Sequence, residues 1–513
     1  MRKIFYILLF WVAQFGASAQ LFKAAADTEF FYCYGGGKDE EARSIKEIPG
    51  GGYIIAGTTA SFGQGNTSVY LVKTDKYGKH IWSNPYGGSL NDHAYSLEVT
   101  ADSGYFVSGF SNSFGFQQQT GYDAYYFKTD KAGNLQWQKT IAGDDWDFLY
   151  GSAPMADGGF ILCGETYSNS HGGSDAYLVR VDRNGDTLWT HRYGGLFDES
   201  FNTVSVMYNQ IYAIGKNATH ATDTVADAWL VKLDTNGNVL RDTFITGPHH
   251  YEEVGNGITP YTNGQFHICG QINVLDSGSN TAFLYRADTA FNLTIIPNYF
   301  SISRGSSVIY NRVINISYGA ICVVGSAIGG WGGTNVFWIG YDAGMQFIPD
   351  YARHSGGINN EYGYDGIHTS DGRLIAVGTE NSFCSGGNDV FLVRFNTDSI
   401  ANLQVNYTKT TCYTDTLFYW AVNVRQYAND EQVRFYPNPV IENATIEVNS
   451  SNNDLKYEAC VFSVLGTELM RFTIDHTGPH PIDLSGLPPG SYFLQTRNDR
   501  GELTHIIKFV VDR

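Results

Sequence analysis

One phrase recurs seven times along this chain. GGYIIAG at 51–57 returns as SGYFVSG, GGFILCG, QIYAIG, GQFHICG, YGAICVVG and GRLIAVG, closing on Gly57, Gly109, Gly164, Gly215, Gly270, Gly325 and Gly378. The intervals between these glycines are 52, 55, 51, 55, 55 and 53 residues. A second phrase follows each copy: VYLVKTD, AYYFKTD, AYLVRVD, AWLVKLD, AFLYRAD, VFWIGYD and VFLVRFN. Seven copies that hold both order and spacing describe one unit that must stack on its neighbours to bury its apolar faces.

Each unit carries about four strand-sized runs. In the first these are Ala42 to Ile48, Tyr53 to Thr59, Val69 to Lys73 and His80 to Asn84, separated by PGGG, a Ser/Gly/Asn-rich loop and D-K-Y-G. Four antiparallel strands repeated about every 53 residues predict an all-β, seven-bladed β-propeller over about 28–406. A parallel β-helix has a shorter repeat and lacks these hairpins. The segment TEFFYCYGG at 28–36 lines up with HIWSNPYGG at 80–88, so the N-terminus is expected to supply the outermost strand of the last blade. Such closure removes an exposed edge and holds the ring shut.

Composition agrees. There are 58 glycines, above the usual share of about 7%, and aromatic residues make up 15%. Only 16% of residues are charged, which excludes a disordered chain or a coiled coil. A net charge of -18 disfavours a nucleic-acid binder. Arg2 and Lys3, an apolar run from Ile4 to Phe15 and the small residues Ala17-Ser18-Ala19 have the form of a signal peptide over 1–19. That run is short for a membrane span, and no later stretch is long enough for one. An exported protein without a membrane-spanning segment is expected. Of 7 cysteines, Cys163, Cys269 and Cys322 fall inside apolar strands and read as buried thiols, whereas Cys33, Cys384 and Cys412 include candidates for one disulfide.

One face of the ring should be acidic. The connection into each inner strand carries Glu40, Asp92, Asp147, Glu199, Glu252 and Glu361, with Val308 breaking the series in the sixth blade. The connection between second and third strands ends in Asp123, Asp175, Asp227 and Asp389, with Ser68, Thr281 and Asn335 at the matching places. Three readings are open. The acids accept backbone N–H bonds and shape their loops; with aromatic neighbours they hold a glycan or a cation such as calcium; or two of them cleave a glycosidic bond.

The D-x-x-G turns Asp75–Gly78, Asp130–Gly133, Asp182–Gly185 and Asp234–Gly237, each followed by a strand with Trp82, Trp137 or Trp189 in the first three cases, faintly resemble quinoprotein dehydrogenase repeats. Hairpin chemistry accounts for them, since Asp opens such turns and Gly supplies the positive φ. No H-E-x-x-H, G-x-x-x-x-G-K or nucleophile-elbow pattern is present, and no catalytic residue is assigned. His249-His250 reads as a solvated loop.

The repeat stops near Asn406. A tether over 407–432 leads to Phe435-Tyr-Pro-Asn-Pro439 and the alternating runs ATIEVN, YEACVFSVLG, ELMRFTI, GSYFLQTRN and HIIKFVV, which predict a small β-sandwich of about seven short strands. YPNP at 436–439, VFSVLGTEL at 461–469, IDLSGLPPGSYF at 482–493 and KFVV at 508–511 resemble the type A C-terminal sorting domain of the type IX secretion system of Bacteroidota, over about 433–513. The resemblance implies passage through the periplasm after Sec export and recognition by the type IX translocon. Removal of the domain by its sortase would follow, with attachment to the cell surface or release. It places sorting determinants at Pro437, Asn438, Pro439, Gly486, Pro489, Gly490 and Lys508, and a cut site in the tether. Asp186-Thr-Leu, Asp223-Thr-Val, Asp288-Thr-Ala, Asp398-Ser-Ile and Asp415-Thr-Leu also look like the O-glycosylation motif of that group.

The expected protein is therefore a secreted or surface-displayed propeller that binds a glycan, a cation or a protein through its acidic and aromatic face. The alternatives are a glycan-degrading enzyme on the same face and a purely structural surface protein.

Overall fold

The structure, a computed structural model, describes residues 28–395 apart from 116–120, 220–224, 247–250, 275–278, 297–306, 317–319, 329–332, 356–358 and 383–386; it then describes 410–413 and the strands and turns lying between 432 and 511. Residues 1–19, read above as a signal peptide, most of the span read as tether and His249-His250 lie outside these residues. Every regular element among the described residues is a strand. No helix there is long and apolar enough to cross a membrane.

Seven sheets form the first compact unit, 1–420. The first blade runs Glu40–Glu47, Tyr53–Thr59, Ser68–Thr74 and His80–Tyr86, each strand antiparallel to the one before. Five more sheets repeat that order, their inner strands being Asp92–Val99, Asp147–Pro154, Glu199–Met207, Tyr251–Pro260 and Val308–Asn315. The seventh takes Glu361–His368, Leu374–Glu380 and Asp389–Phe395 from the end of the repeat and Thr28–Tyr34 from its start. Antiparallel pairing of Thr28–Tyr34 with Asp389–Phe395 is the closure the sequence predicts. Contacts between the inner strands of the seventh and first blades complete the ring. A further strand, Thr410–Tyr413, pairs in parallel with Thr28–Tyr34 inside the span read as tether. It covers the edge that the closing strand would otherwise expose.

The core lies between blades. Second and third strands read as unbroken apolar runs because neighbouring blades cover both their faces, and every residue of Tyr105–Ser111 and Asp123–Thr129 is buried. Between the first two blades, Ile54, Ala56, Val69 and Leu71 meet Ala94, Leu97, Val107 and Phe127. Each large aliphatic side chain so buried stabilises by about 1.5–3 kcal/mol. Cys163, Cys269 and Cys322 are buried free thiols within this packing. Cys33 is disulfide-bonded; the side chains of Cys384 and Cys412 lie outside the described residues.

The D-x-x-G turns link blades. Asp75 Oδ1 accepts the N–H groups of Tyr77 and Lys79, and Gly78 has φ 76°. The turn glycine docks on the outer strand of the preceding blade. A Cβ on Gly133 would stand 2.9 Å from the Trp82 ring, and one on Gly185 would stand 2.5 Å from Trp137. Tyr34, Tyr86 and Tyr193 donate their hydroxyls to the carbonyls of Gly78, Gly133 and Gly237 at 2.5, 2.6 and 2.7 Å. The Trp and Y-G-G signals thus encode blade-to-blade docking.

Among the described residues, the second compact unit, 421–513, holds seven strands in two sheets. Gln432–Tyr436, Asn443–Asn449 and Gly478–Asp483 form one sheet. Tyr457–Ser463, Glu468–Ile474, Gly490–Arg497 and Leu503–Val511 form the other. Ile446, Val461, Leu484, Leu494 and Phe509 share its core.

Candidate functional site

All seven inner strands contain a β-bulge at the same point. The register slips between Ala42/Ser44, Ala94/Ser96, Leu149/Gly151, Phe201/Thr203, Gly255/Gly257, Tyr310/Arg312 and Gly363/Asp365. Opposite the residue before each slip stands the closing glycine of the repeat. No side chain fits there: a Cβ on Gly57 would lie 1.8 Å from the Glu41 carbonyl oxygen, and one on Gly164 would lie 1.8 Å from that of Phe148. The most constant residue of the repeat exists to let the inner strand bulge.

The bulge turns one extra side chain per blade into the central channel. These residues are Arg43, Tyr95, Tyr150, Asn202, Asn256, Asn311 and Tyr364, and all seven line one cavity of about 770 Å³. That volume lies within the range of small-molecule sites, about 300–1,000 Å³. In blades four to six the residue is Asn and works as a clasp. Asn202, Asn256 and Asn311 donate from Nδ2 to the backbone oxygens of Gly255, Tyr310 and Gly363 in the next blade, at 3.1, 3.1 and 2.7 Å. In the other four blades, contiguous through the closure, the position reads Tyr364, Arg43, Tyr95 and Tyr150. The Arg43 guanidinium lies between two rings, 4.2 Å from the centroid of Tyr364 and 4.7 Å from that of Tyr95. It is also forked onto Glu41 at 3.2 and 3.0 Å. Tyr95 and Tyr150 follow at 5.4 Å between centroids.

The residue after each closing glycine also varies, reading Thr58, Phe110, Glu165, Lys216, Gln271, Ser326 and Thr379, and of these Glu165, Lys216 and Gln271 line the cavity. Tyr150 donates its hydroxyl to Glu165 Oε1 at 2.7 Å. Burial raises the Glu165 carboxyl above its ordinary range and pushes the Tyr150 phenol far up. Lys216 lies 3.6 Å from Glu252, which accepts from Asn273 at 2.7 Å. Lys46 pairs with Glu98 at 2.8 Å, and Arg312 with Asp365 at 3.4 Å. The lining therefore sets Arg43, Lys46, Lys216 and Arg312 against Glu98, Glu165, Glu252 and Asp365, a balance of charge within a strongly acidic protein.

The repeated acids sit elsewhere. Glu40, Asp92, Asp147, Glu199 and Glu361 are at most 2% exposed at the starts of the inner strands. Glu40 accepts from Gly36 N at 2.7 Å, Thr59 Oγ1 at 2.7 Å and Ser61 N at 3.0 Å. Asp92 takes Gly88 N at 2.7 Å with the hydroxyls of Ser111 and Ser113. Asp147 takes Gly143 N at 3.1 Å with those of Thr166 and Ser168. Glu199 takes Gly195 N at 2.8 Å and Thr219 N at 3.0 Å. In these four the carboxylate holds its own loop.

Glu252 departs from the set. The residue whose backbone N–H bonds the preceding blade, as Glu40, Asp92, Asp147 and Glu199 do, is Glu253. Glu253 stands seventeen residues before its closing glycine, as Glu40 and Asp92 do, and Glu252 stands eighteen before. Counting from the glycine corrects the assignment and leaves Glu252 as a cavity residue.

The second series of acids lies beside the first. Burial, with the charge of Asp123, raises Asp147 to about 6, and burial with Glu380, Glu40 and Asp39 raises Asp389 to about 8. No three His, Cys, Asp or Glu side chains converge as a metal-binding group among the described residues. The bulge residues and those after the closing glycines were not singled out from the sequence. They vary where the repeat is constant, and they stand thirteen or fourteen residues before the glycine or directly after it.

In the second unit, Gly486 occupies an exposed turn that Leu487 N closes onto Leu484 O at 3.0 Å, and Tyr492 donates to Pro488 O at 2.6 Å. Lys508 pairs with Phe493 in the backbone ladder, and Gly490 with Val511. Pro437, Asn438, Pro439 and Pro489 lie outside the described residues. Residues 434–512 match the family model described as the secretion system C-terminal sorting domain. The C-terminal module is a type IX secretion sorting domain. The protein is accordingly cargo of that system, exported to the cell surface or secreted.

What the sorting domain carries has more distant likenesses. The regulatory protein FlaEY of Caulobacter vibrioides is 22% identical over 297 residues, which take in 54% of this chain but only 29% of that protein. Among solved structures, the polysaccharide lyase Uly1 is similar at 11% identity and TM-score 0.45, covering 69% of this chain and 90% of that one. PorZ, a surface component of the type IX secretion system of Porphyromonas gingivalis, is similar at 11% and 0.38, covering 93% and 60%. The propeller domain of the Trilobed protease of Pyrococcus furiosus is similar at 9% and 0.40, covering 74% and 99%. Likeness at this level says nothing about activity.

Proposed function

We propose that this type IX cargo is a carbohydrate-binding propeller, and that the central cavity takes a neutral sugar. The observation that carries this reading is the change at the bulge. Three contiguous blades use Asn to clasp their neighbours, while four replace that clasp with Tyr364, Arg43, Tyr95 and Tyr150. Aromatic rings stack on the apolar faces of sugars, and the paired acids, bases and amides around them offer alternating acceptors and donors to hydroxyl groups. The balanced lining favours a neutral ligand over a uronate or an amine.

Isothermal titration of the full mature chain with neutral mono- and oligosaccharides tests this. Binding should weaken about tenfold in Tyr95→Ala and Tyr150→Ala and persist in Asn256→Ala. Absence of binding to every sugar, or equal losses in all three variants, overturns the reading.

A glycan-degrading enzyme is the second reading, and Glu165 favours it. A carboxyl raised by burial and hydrogen-bonded in a cavity suits a general acid, and glycosidic cleavage needs a second carboxyl opposite, for which Glu252 is at hand. In that case the protein shortens a bound oligosaccharide, and Glu165→Gln stops cleavage while retaining binding.

A further inference from the structure

The inner strand of the third blade continues its aromatic character beyond the cavity. Phe148 and Tyr150 alternate with the buried Asp147 and Leu149, so their two rings share one side of the strand, and Trp146 immediately precedes it. Phe148 stacks on Tyr150 with centroids 6.2 Å apart and planes 8° from parallel. Trp146 meets Phe148 edge-on at 6.0 Å, and Tyr167 meets Trp146 at 6.3 Å. Phe110 packs against Phe148 at 4.8 Å, and Phe148 bridges Trp146 at the rim and Tyr150 in the cavity. Trp146 is 43% exposed and Tyr167 37% exposed at the rim. Asp144 and Asp145 beside them are exposed acids.

We infer that this rim is an extension of the cavity site, and that the ligand is a neutral glycan chain whose end enters the cavity while a later sugar lies on Trp146 and Tyr167. The inference rests on the carbohydrate reading of the cavity and adds the length and direction of the ligand. Trp146 and Tyr150 stand four residue steps apart along extended chain, roughly 13 Å, a span that a short oligosaccharide covers and a monosaccharide does not. Continuity fixes the occupant, because one aromatic path joins the rim to the rings inside the cavity. Charge excludes the anionic class, since Asp144 and Asp145 would repel a sulfated or uronic chain at the entrance.

Titration of the full mature chain with cello-, manno-, xylo- and malto-oligosaccharides of one to six residues tests the inference. For the series that binds, affinity should rise about tenfold between one and four residues and then level off. Trp146→Ala, at an exposed site that leaves the melting temperature unchanged, should flatten that rise and leave the affinity for the single sugar intact. Tyr150→Ala should lower affinity at every length. Affinity that is independent of length overturns the extended rim and spares the cavity reading. So does a rise that survives Trp146→Ala combined with Tyr167→Ala. Failure of all four series at all lengths overturns both.

Discussion

Glu361 and Glu380 stand directly opposite one another on adjacent strands of the seventh blade, and Glu380 in turn faces Asp389 on the third strand. All three are at most 3% exposed. The same row reads Glu40, Thr59 and Ser68 in the first blade and Asp147, Thr166 and Asp175 in the third. Only in the closing blade are all three positions carboxyls, and like charges directly opposite destabilise a sheet.

Proton uptake relieves this row. Burial and the charges of Glu380, Glu40 and Asp39 raise Asp389 from 3.8 to about 8. The folded state therefore keeps a proton that the unfolded chain gives up near its ordinary carboxyl pKa. The associated stability is fully present below about pH 4 and is lost as pH rises through about 8. Asp147, raised to about 6, contributes in the same direction. The melting temperature of the propeller should fall from pH 5.5 to pH 8.5. Asp389→Asn should reduce that slope and raise the melting temperature at the alkaline end. A temperature that climbs with pH across this window contradicts the assignment.

The bulge position separates stability from binding. Asn202, Asn256 and Asn311 each join two blades, so replacing any one by Ala should cost about 0.5–1.5 kcal/mol and leave sugar affinity unchanged. Tyr95→Ala should reverse that pattern, with a large loss of affinity and a small loss of stability. Denaturant titration beside calorimetry of the same variants gives both quantities. Two equal stability losses without an affinity difference would make the whole ring structural.

The closing glycines should tolerate no side chain. Gly164→Ala brings a Cβ to 1.8 Å from the Phe148 carbonyl oxygen and should destabilise by at least about 1–3 kcal/mol. Gly37 has nothing within 4 Å of such a Cβ and serves as the matched control. If Gly164→Ala melts with the wild type, the bulge does not depend on this contact.

How far the sequence reaches depends on which residues repeat. Gly57 and its six counterparts are constant because backbone approaches backbone there, and their spacing alone predicts seven blades. Tyr34 aligns with Tyr86 because both hydroxyls dock the next turn, and that alignment predicts the closing strand. Thr410–Tyr413 escaped notice because it pairs outside the repeat and carries none of its marks. The site was harder to read, since a binding residue is one that breaks the repetition. Tyr150 and Asn256 occupy equivalent positions yet differ in kind, whereas the acids that recur most faithfully are the ones turned inward to hold loops. The slip from Glu253 to Glu252 has another origin: two adjacent acids compete for one position, and the count of seventeen residues to Gly270 selects Glu253.

Separation of the chain into compact units at 1–420 and 421–513 makes a last expectation concrete. The propeller closes its ring with its own residues, Thr28–Tyr34. Deleting 434–513 should leave the melting of the propeller unchanged in the purified protein. In a host with a type IX system, the same deletion should hold the protein in the periplasm, where fractionation and surface protease treatment locate it. Restoring the domain should return the protein to the surface or the medium. Surface exposure of the truncated chain would mean that the propeller carries an export signal of its own, and loss of its melting transition would mean that the two units fold together.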